Sequence, residues 1–495
     1  MKNNLTGGRF LADLGAFKSE LFFESDDSLI FTILEGGGPA EIGHSEKVQI
    51  AVTEVRPQVY VVAWKEATGA TVTHIEDHEN GILYSNATLP DGSFYTMKGT
   101  IRPIQQTPIR IGYSLSLSGP VAENTKSARL AHQLWEEDIN SKGGLLGRKV
   151  QLICIDDCGD ASQVYGIYKR LLDEEKVDLL IGGYGTNTLK ASLPLVIERN
   201  RILIGLMGLG VNGSLKYQNY FAMIPTGPSP NAALTEGFFE LAATQHPKPL
   251  TVAVLTLDAE FSRNPVIGAR ENAAKYGMRI IHEQTYSLAT TDFEPIINQL
   301  KEINADILFL CSYLEDSKGL IRAIHNSDYR PKMVGGAMIG PQSAAVKTEL
   351  GPLLNGFVNY EYWMPVPKMN FPGVTEVLQK YQKRAREEKV DELGFYVVPL
   401  AYAQMQVLEQ AVQATGSLDD TLLSQYCRNN SFETVMGTIS FGEGGEWVEP
   451  RVVQVQFQHV PNGDIDTFKD SKVQIVVSPE AYASGKLIYP YDPSK

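Results

Sequence analysis

The sequence predicts an α/β protein of two similar lobes, parallel sheets flanked by helices, preceded by a small antiparallel β-barrel. Three observations carry this. At 495 residues the chain exceeds what one ordinary core holds, so several domains are expected. Residues 1 to about 104 contain short β-branched and aromatic runs separated by turn signals. From Ile109 onward, apolar runs alternate with helical stretches of ten or more residues, and the pattern pauses near Pro225–Asn231 and restarts.

Composition narrows the function classes. With 44 basic against 58 acidic residues the net charge is −14, which disfavours nucleic acid and anionic membranes as partners. No apolar run approaches the roughly 20 residues that span a bilayer. The start, MKNNLTGGRFLADLGAFKSELFF, lacks a basic segment followed by an apolar one, so no secretory signal is read there. The expected location is cytoplasmic as the chain stands, or periplasmic if a leader is missing. Cys154, Cys158, Cys311 and Cys427 lack zinc-site spacing and read as buried or free thiols.

In the first segment, candidate strands are Glu20–Glu24, Ser28–Leu34, Lys47–Val55, Gln58–Lys65, Ala70–Glu76, Gly81–Asn86 and Ser93–Lys98, bounded by GGGP, RP, TG, EN and PDG turns. Seven or eight such strands suggest an up-and-down barrel, solid or holding one small ligand. Alternation is clearest where Val59, Val61 and Ala63 oppose Tyr60, Val62 and Trp64. His74, Asp77, His78 and Glu79 invite a metal reading, since positions 74, 76 and 78 share one face of a strand. Asp77-His78-Glu79-Asn80 before Gly81 also reads as a solvated turn, and that reading is preferred; no metal is expected.

Ile104–Pro108 is a short polar linker. The runs at Ile109, Val150–Asp156 and Val177–Ile181 are strands, and Ala128–Ile139 and Ser162–Glu174 are helices. Strands at Leu250–Leu255, Arg279–Gln284, Ile307–Cys311 and Met333–Gly335 follow, with helices Asn264–Tyr276, Asp292–Ile303 and Ser317–Asn326 between them. Helices Gly373–Lys389 and Val397–Thr415 and strand-like Thr438–Phe441 and Arg451–Gln458 suggest that the chain crosses between the lobes more than once. The stretch Val177–Gly210 reads strand, glycine-containing polar loop, helix, strand, polar loop. Two adjacent strand ends opening into small and polar residues form the crevice where α/β folds bind ligands.

Three chemistries were weighed for that crevice. Gly208-Leu-Gly-Val-Asn-Gly213 fits G-x-G-x-x-G, but no helix opens there and the acidic residue about 20 positions on is missing. No G-x-S-x-G, H-E-x-x-H or G-x-x-x-x-G-K-[ST] occurs, so nothing points to hydrolysis. A clamshell of two lobes closing on a small ligand fits best: hydroxyls and free helix amides suit an anionic oxygen, and aromatics supply an apolar wall. No catalytic residues and no cofactor are expected.

The motifs SLSGPVAENTKSARLAHQLWEEDINSKGGLLGRKVQL, the acidic pair at 156–157, VDLLIGGYGTNT, KYQNYFAMIPTGPS, VAVLTLDAEFSRNPVIGARENAAKYG, TTDFEPIINQLKEINADIL and PLAYAQMQVLEQAV stand in one order. In them, residues 109–490 resemble a type I periplasmic solute-binding protein of the branched-chain amino acid (leucine-binding) type. ADLGAFKSELFFES, EATGATVTHIEDHENG and YSNATLPDGSF make residues 1–104 similar to the MoaF-like family of calycin-type barrels. The resemblance implies a first lobe of about 109–228 and 358–437 and a second of about 229–357 and 438–475. It also implies non-catalytic binding of a small solute between them and, as partners, an ABC permease and ATPase.

By the same resemblance, ligand contacts fall on Ser116 and Ser118, on Tyr184, Thr186 and Asn187, and on Gly208 and Gly210 of the first lobe. Phe261 and Tyr313 match from the second, with Tyr396 from a returning helix. Each has a structural alternative: a helix cap for Thr186 and Asn187, core for Phe261, a satisfied strand-end tyrosine for Tyr313, a turn for the glycines. Amino-acid binders of the family place an acid where this chain has Ala337. An unpaired buried ammonium is costly, so the expected ligand is an aromatic or aliphatic carboxylate or amide, unless Asp258, Glu260 or Glu315 replaces that acid. Cys158 stands where some relatives have half a disulfide, and the partner position is Gly185, which suits a reducing compartment. Two readings stand beside transport: a cytoplasmic small-ligand sensor, and an enzyme whose chemistry sits in the barrel.

Overall fold

The computed structural model describes residues 5–36, 41–104, 107–119 and 121–495. Residues 37–39 of the expected GGGP turn, Gln105 and Gln106 of the expected linker, and Pro120 lie outside the described residues. The chain folds as two compact units, residues 1–108 with 142–149, and residues 109–141 with 150–495.

The first unit is a closed antiparallel barrel of eight strands in sequential order. They are β1 (Arg9–Asp13), β2 (Phe17–Phe23), β3 (Ser28–Gly36), β4 (Ser45–Arg56), β5 (Val59–Lys65), β6 (Thr71–Asp77), β7 (Ile82–Thr88) and β8 (Phe94–Pro103). Closure comes from β1 pairing with both β2 and β8, which leaves no free sheet edge. Tyr60, Val62 and Trp64 of β5 are buried against Phe23, Leu29, Leu83 and Ile101, as the alternation requires. The strand β1 was not anticipated; its five residues carry weak alternation.

One expectation is corrected here. His78 stands in the expected turn but its side chain is only 6% exposed, and that of His74 on β6 is 4% exposed; both bond the fully buried Glu76. The period of two that points Val72 inward carries on through His74 and Glu76. Asp77 and Glu79 are ion-paired with Arg56 at 3.1 and 2.6 Å, and Glu79 and Asn80 are exposed.

In the second unit, β9 (Ile109–Leu115) lies between β10 (Val150–Asp156) and β11 (Leu179–Leu180), all parallel. Strands β12 (Leu203–Gly205) and β13 (Tyr220–Ala222) form a parallel pair. Helices α1 (Ala122–Ser141), α2 (Ala161–Asp173) and α3 (Thr186–Glu198) alternate with them. Helix α4 (Pro230–Ala243) then leads to a seven-stranded sheet of order β15-β14-β16-β17-β18-β21-β22. Its parallel part is β14 (Thr251–Leu257), β15 (Arg279–Tyr286), β16 (Ile307–Ser312), β17 (Met333–Met338) and β18 (Val358–Glu361). Helices α5 (Glu260–Lys275), α6 (Glu294–Ile303), α7 (Leu314–Asn326) and the short α8 (Ala344–Leu350) connect these strands. Helices α9 (Val374–Glu388), α10 (Val398–Thr415) and α11 (Asp420–Asn429) and the hairpin β19 (Ser431–Thr434)–β20 (Gly437–Ser440) follow. The chain then adds antiparallel β21 (Val453–Phe457) and β22 (Gln474–Ser478) to the sheet. No described helix is long and apolar enough to cross a membrane. All four cysteines are free thiols, with Cys311 and Cys427 buried and Cys158 exposed.

Helix α10 returns to the first sheets and packs on α1. Gln404 is the tie. Its amide nitrogen donates to the carbonyls of Gly182 and Ile204 at 2.8 and 2.6 Å, and its oxygen pairs with His132 of α1 at 3.0 Å. One fully buried amide therefore holds two strand ends and two helices. Since the Gln404 oxygen only accepts, His132 Nε2 is the donor and the ring carries its proton there. Burial pushes the His132 imidazole down to about 4.

Two outcomes follow. Gln404→Leu takes the partner from the buried Gly182 carbonyl and from His132 Nε2, while Ile204 keeps the Gly182 amide, and should lower stability by about 2–3 kcal/mol in urea unfolding. His132 is neutral when folded and takes a proton in the unfolded chain from about pH 6.5 downward. Its contribution is therefore complete above that pH and is lost as pH falls toward 4. The loss is on the order of 3 kcal/mol, and His132→Gln should flatten that part of the stability–pH curve relative to wild type.

Candidate functional site

The loops after β9, β11 and β12 come from one set of strands, and those after β14, β16 and β17 from the other. Gly183 continues β11 so close to β9 that a Cβ would lie 2.1 Å from the Ser114 carbonyl oxygen. That approach sets where Tyr184 leaves the strand. Tyr184 is buried, its hydroxyl accepting from Asn124 Nδ2 at 3.1 Å and donating to Tyr396 Oη at 3.4 Å. Tyr396 in turn stacks on Tyr362 with centroids 6.0 Å apart, and Tyr362 meets Tyr360 edge-on at 5.4 Å. Phe261, at the start of α5, and Tyr313, which caps α7, lie 6.4 Å apart with rings tilted by 35°. Burial raises the Tyr184 and Tyr396 hydroxyls and pushes that of Tyr313 up to about 12. All three stay neutral near neutral pH, and the Tyr184 hydrogen is already given to Tyr396.

The remaining expected residues are placed differently. Ser116 and Ser118 spend their hydroxyls on the acidic pair after β10: Ser116 Oγ donates to Asp157 at 2.5 Å and Ser118 Oγ to Asp156 at 3.0 Å. Thr186 is buried, and its Oγ1 accepts from the Leu209 amide at 3.1 Å, so it fixes the loop containing Gly208 and Gly210. Asn187 is exposed on the first turn of α3. Gly208 is required by packing, since a Cβ would sit 2.5 Å from both the Leu189 and the Val211 side chains. Ala337 is 1% exposed within β17, beside Cys311 of β16. The three acids considered as its replacement are engaged elsewhere: Asp258 with Arg263 at 3.1 Å, Glu260 with Lys190 at 2.9 Å, Glu315 with Lys318 at 2.7 Å.

The structure thus joins Tyr184 to Tyr396, Phe261 to Tyr313, and Thr186 to the Gly208–Gly210 loop. Sequence reasoning missed Asn124, Tyr360 and Tyr362, although Asn-Tyr-Glu-Tyr-Trp at 359–363 is a dense aromatic signal. It also missed bonds that tie α1 and the Leu209 loop to the second set of loops. Ser343 Oγ donates to the Glu123 carboxylate at 2.8 Å, Asn264 Nδ2 donates to the Leu209 carbonyl at 3.2 Å, and Lys190 reaches Glu260.

Strands of this order with loops meeting from two sides match a known group. Residues 108–458, more than half of the chain, match the periplasmic binding protein family model. The chain belongs to the periplasmic binding protein family. Residues 6–102 match the MoaF-like family, in agreement with the barrel. A Leu/Ile/Val-binding protein homolog of Brucella melitensis is 21% identical over 353 residues, 69% of this chain and 89% of that protein. An amino acid ABC transporter substrate-binding protein from Pseudomonas fluorescens has the same fold, with a TM-score of 0.63 at 17% identity over 78% of this chain and all of that one. The solute-binding protein of an ABC transporter from Rhodopseudomonas palustris, solved with 3,4-dihydroxybenzoic acid, gives 0.59 at 17% identity over 72% of this chain and 94% of that one.

The Thr186 bond is structural and testable apart from any ligand. Thr186→Val keeps the shape and removes the acceptor for the Leu209 amide, so it should cost about 1–2 kcal/mol in thermal or urea unfolding.

Proposed function

We propose that the second unit binds a small organic solute between its two sets of loops, without chemistry, as the substrate-binding component of an ABC-type importer. The site proposed is the aromatic group of Tyr184, Tyr396, Phe261 and Tyr313, with the Gly208–Gly210 loop at its edge. Ser116, Ser118 and Asn187 are left out, because two are held by acids and one faces solvent.

The observation that carries the ligand class is the absence of a free acid. Ala337 takes the position where amino-acid binders would pair an ammonium, and Asp258, Glu260 and Glu315 are each ion-paired. An ammonium there would lose its hydration without a partner, at a cost of several kcal/mol. The neutral Tyr396 and Tyr313 hydroxyls instead donate to an oxygen, and the rings cover an apolar body. The ligand is therefore an aromatic or aliphatic carboxylate or amide. The relative solved with 3,4-dihydroxybenzoic acid supports an aromatic acid, and the Leu/Ile/Val-binding relatives keep amino acids in the test set.

The test is a thermal-shift screen of benzoates, aliphatic acids, amides and branched-chain amino acids. A true ligand at 100 times its Kd should add about 2.7 kcal/mol of stability. Phe261→Ala should weaken its binding about tenfold or more, a loss of about 1.4 kcal/mol, with unfolding of the free protein little changed. A strong leucine response with none from acids lacking an amino group would overturn the assigned ligand class.

A further inference from the structure

The first parallel sheet of the second unit has an open edge beside α1. In the order β10-β9-β11, β10 pairs with β9 alone, and only Val150 of its residues is buried. The peptide groups of a strand point alternately to its two sides. The Asp157 amide, which continues β10, donates to the Leu115 carbonyl of β9 at 3.1 Å. The amides of Val150, Leu152 and Cys154 therefore face the edge. Helix α1 covers that edge in steps. Asn140 holds both peptide groups of Val150, at 2.7 and 2.9 Å. One turn back, a Glu136 carboxylate oxygen accepts from the Leu152 amide at 2.9 Å. Positions 133 and 129 continue the same helix face and bring Gln133 and Arg129 toward Cys154. There the cover stops. Among the described residues no side chain bonds the Cys154 amide, and Arg129 pairs with no carboxylate.

The gap is a cavity of about 360 Å³, a volume in the range of small-ligand sites. Arg129, Gln133 and Glu136 line it from α1, Leu152 and Cys154 from β10, and Tyr113 from β9, where it stands opposite Cys154. Burial pushes the Cys154 thiol up to about 12, and the Arg129 charge opposes that rise, so the guanidinium acts on this end of the cavity. The neighbouring acids are engaged. Glu175 is paired with Arg110 at 2.9 Å, and Asp156 accepts from the Leu117 and Cys158 amides at 2.8 Å. We propose that this cavity is a second binding site, for a small carboxylate that accepts from the Cys154 amide and from the Arg129 guanidinium.

The guest does for Cys154 what Glu136 does for Leu152. A hydrogen bond from an amide to an ionised oxygen is stronger than one to a neutral oxygen, and the planar guanidinium adds donors for the second oxygen. Cys154 lies roughly 6.6 Å beyond Leu152 along the strand, and Arg129 lies about two helical turns from Glu136. The negative end of the guest is thus nearer the free cation than the acid. The half-exposed Leu152 side chain and the Tyr113 ring suit an apolar body behind it.

The test uses the full chain labelled with nitrogen-15 cysteine, which carries 4 cysteine amides. The signal missing from Cys154→Ser assigns that of Cys154. The probe is benzoate, with benzamide as its uncharged counterpart. The expected result is a saturable shift of the Cys154 amide signal with benzoate, retained in Phe261→Ala, in which the site proposed between the two sets of loops is weakened. Arg129→Met and the change to benzamide should each weaken the response about tenfold or more. Arg129 is exposed on α1, so its variant keeps the fold. A Cys154 signal that benzoate leaves in place, one that moves equally in Arg129→Met or with benzamide, or a shift lost in Phe261→Ala would each overturn the proposal.

Discussion

The second unit depends on one buried amide. Gln404 bonds the carbonyl of Gly182 just after β11, that of Ile204 within β12, and the histidine that faces it from α1. Those carbonyls lie immediately before the loops that carry Tyr184 and Gly208. Two short strands hold few ladder bonds of their own, so their ends are fixed from outside, by a helix that arrives some 200 residues later in the chain. The same helix follows directly on Tyr396. The tie that secures the strand ends therefore also places the tyrosine that meets Tyr184.

On this base the site has a consistent electrostatic character. Four acids near the proposed site are engaged by hydroxyls or a basic side chain: Asp156 and Asp157 by serines, Glu123 by Ser343, Glu260 by Lys190. The proposed site then offers a ligand neutral phenols and ring faces. The proposed site would discriminate by what Ala337 fails to offer, an acid for an ammonium. The barrel has the opposite character, with the Glu76 carboxylate sealed inside between two histidines.

Much of this was legible in the sequence where period and length were clear. The parallel strands from Ile109 to Cys311, the barrel and the alternation of β5 all follow from pattern. The losses have physical causes. Strand β1 is too short to show a period, and α4, which begins at the end of the Pro225–Asn231 pause, carries only a narrow buried face of Leu234, Thr235, Phe238, Phe239 and Ala242. His74 and His78 were read by residue type, as polar and therefore wet. Their position on an inward-facing period was the stronger signal. Ser116 and Ser118 were credited with free hydroxyls because sequence does not reveal that Asp156 and Asp157 claim them. Tyr360 and Tyr362 were missed because β18 is only four residues long.

The central claim is that one solute is held at once by loops from both sets of strands. Hydrogen exchange of the full chain, with and without the strongest stabilising acid from the screen, tests it most directly. The account predicts simultaneous protection of residues 183–187 and 207–211 on one side and 259–264 and 313–316 on the other, with a smaller effect in Phe261→Ala. Protection confined to one of those sides, or absent from both, would contradict it.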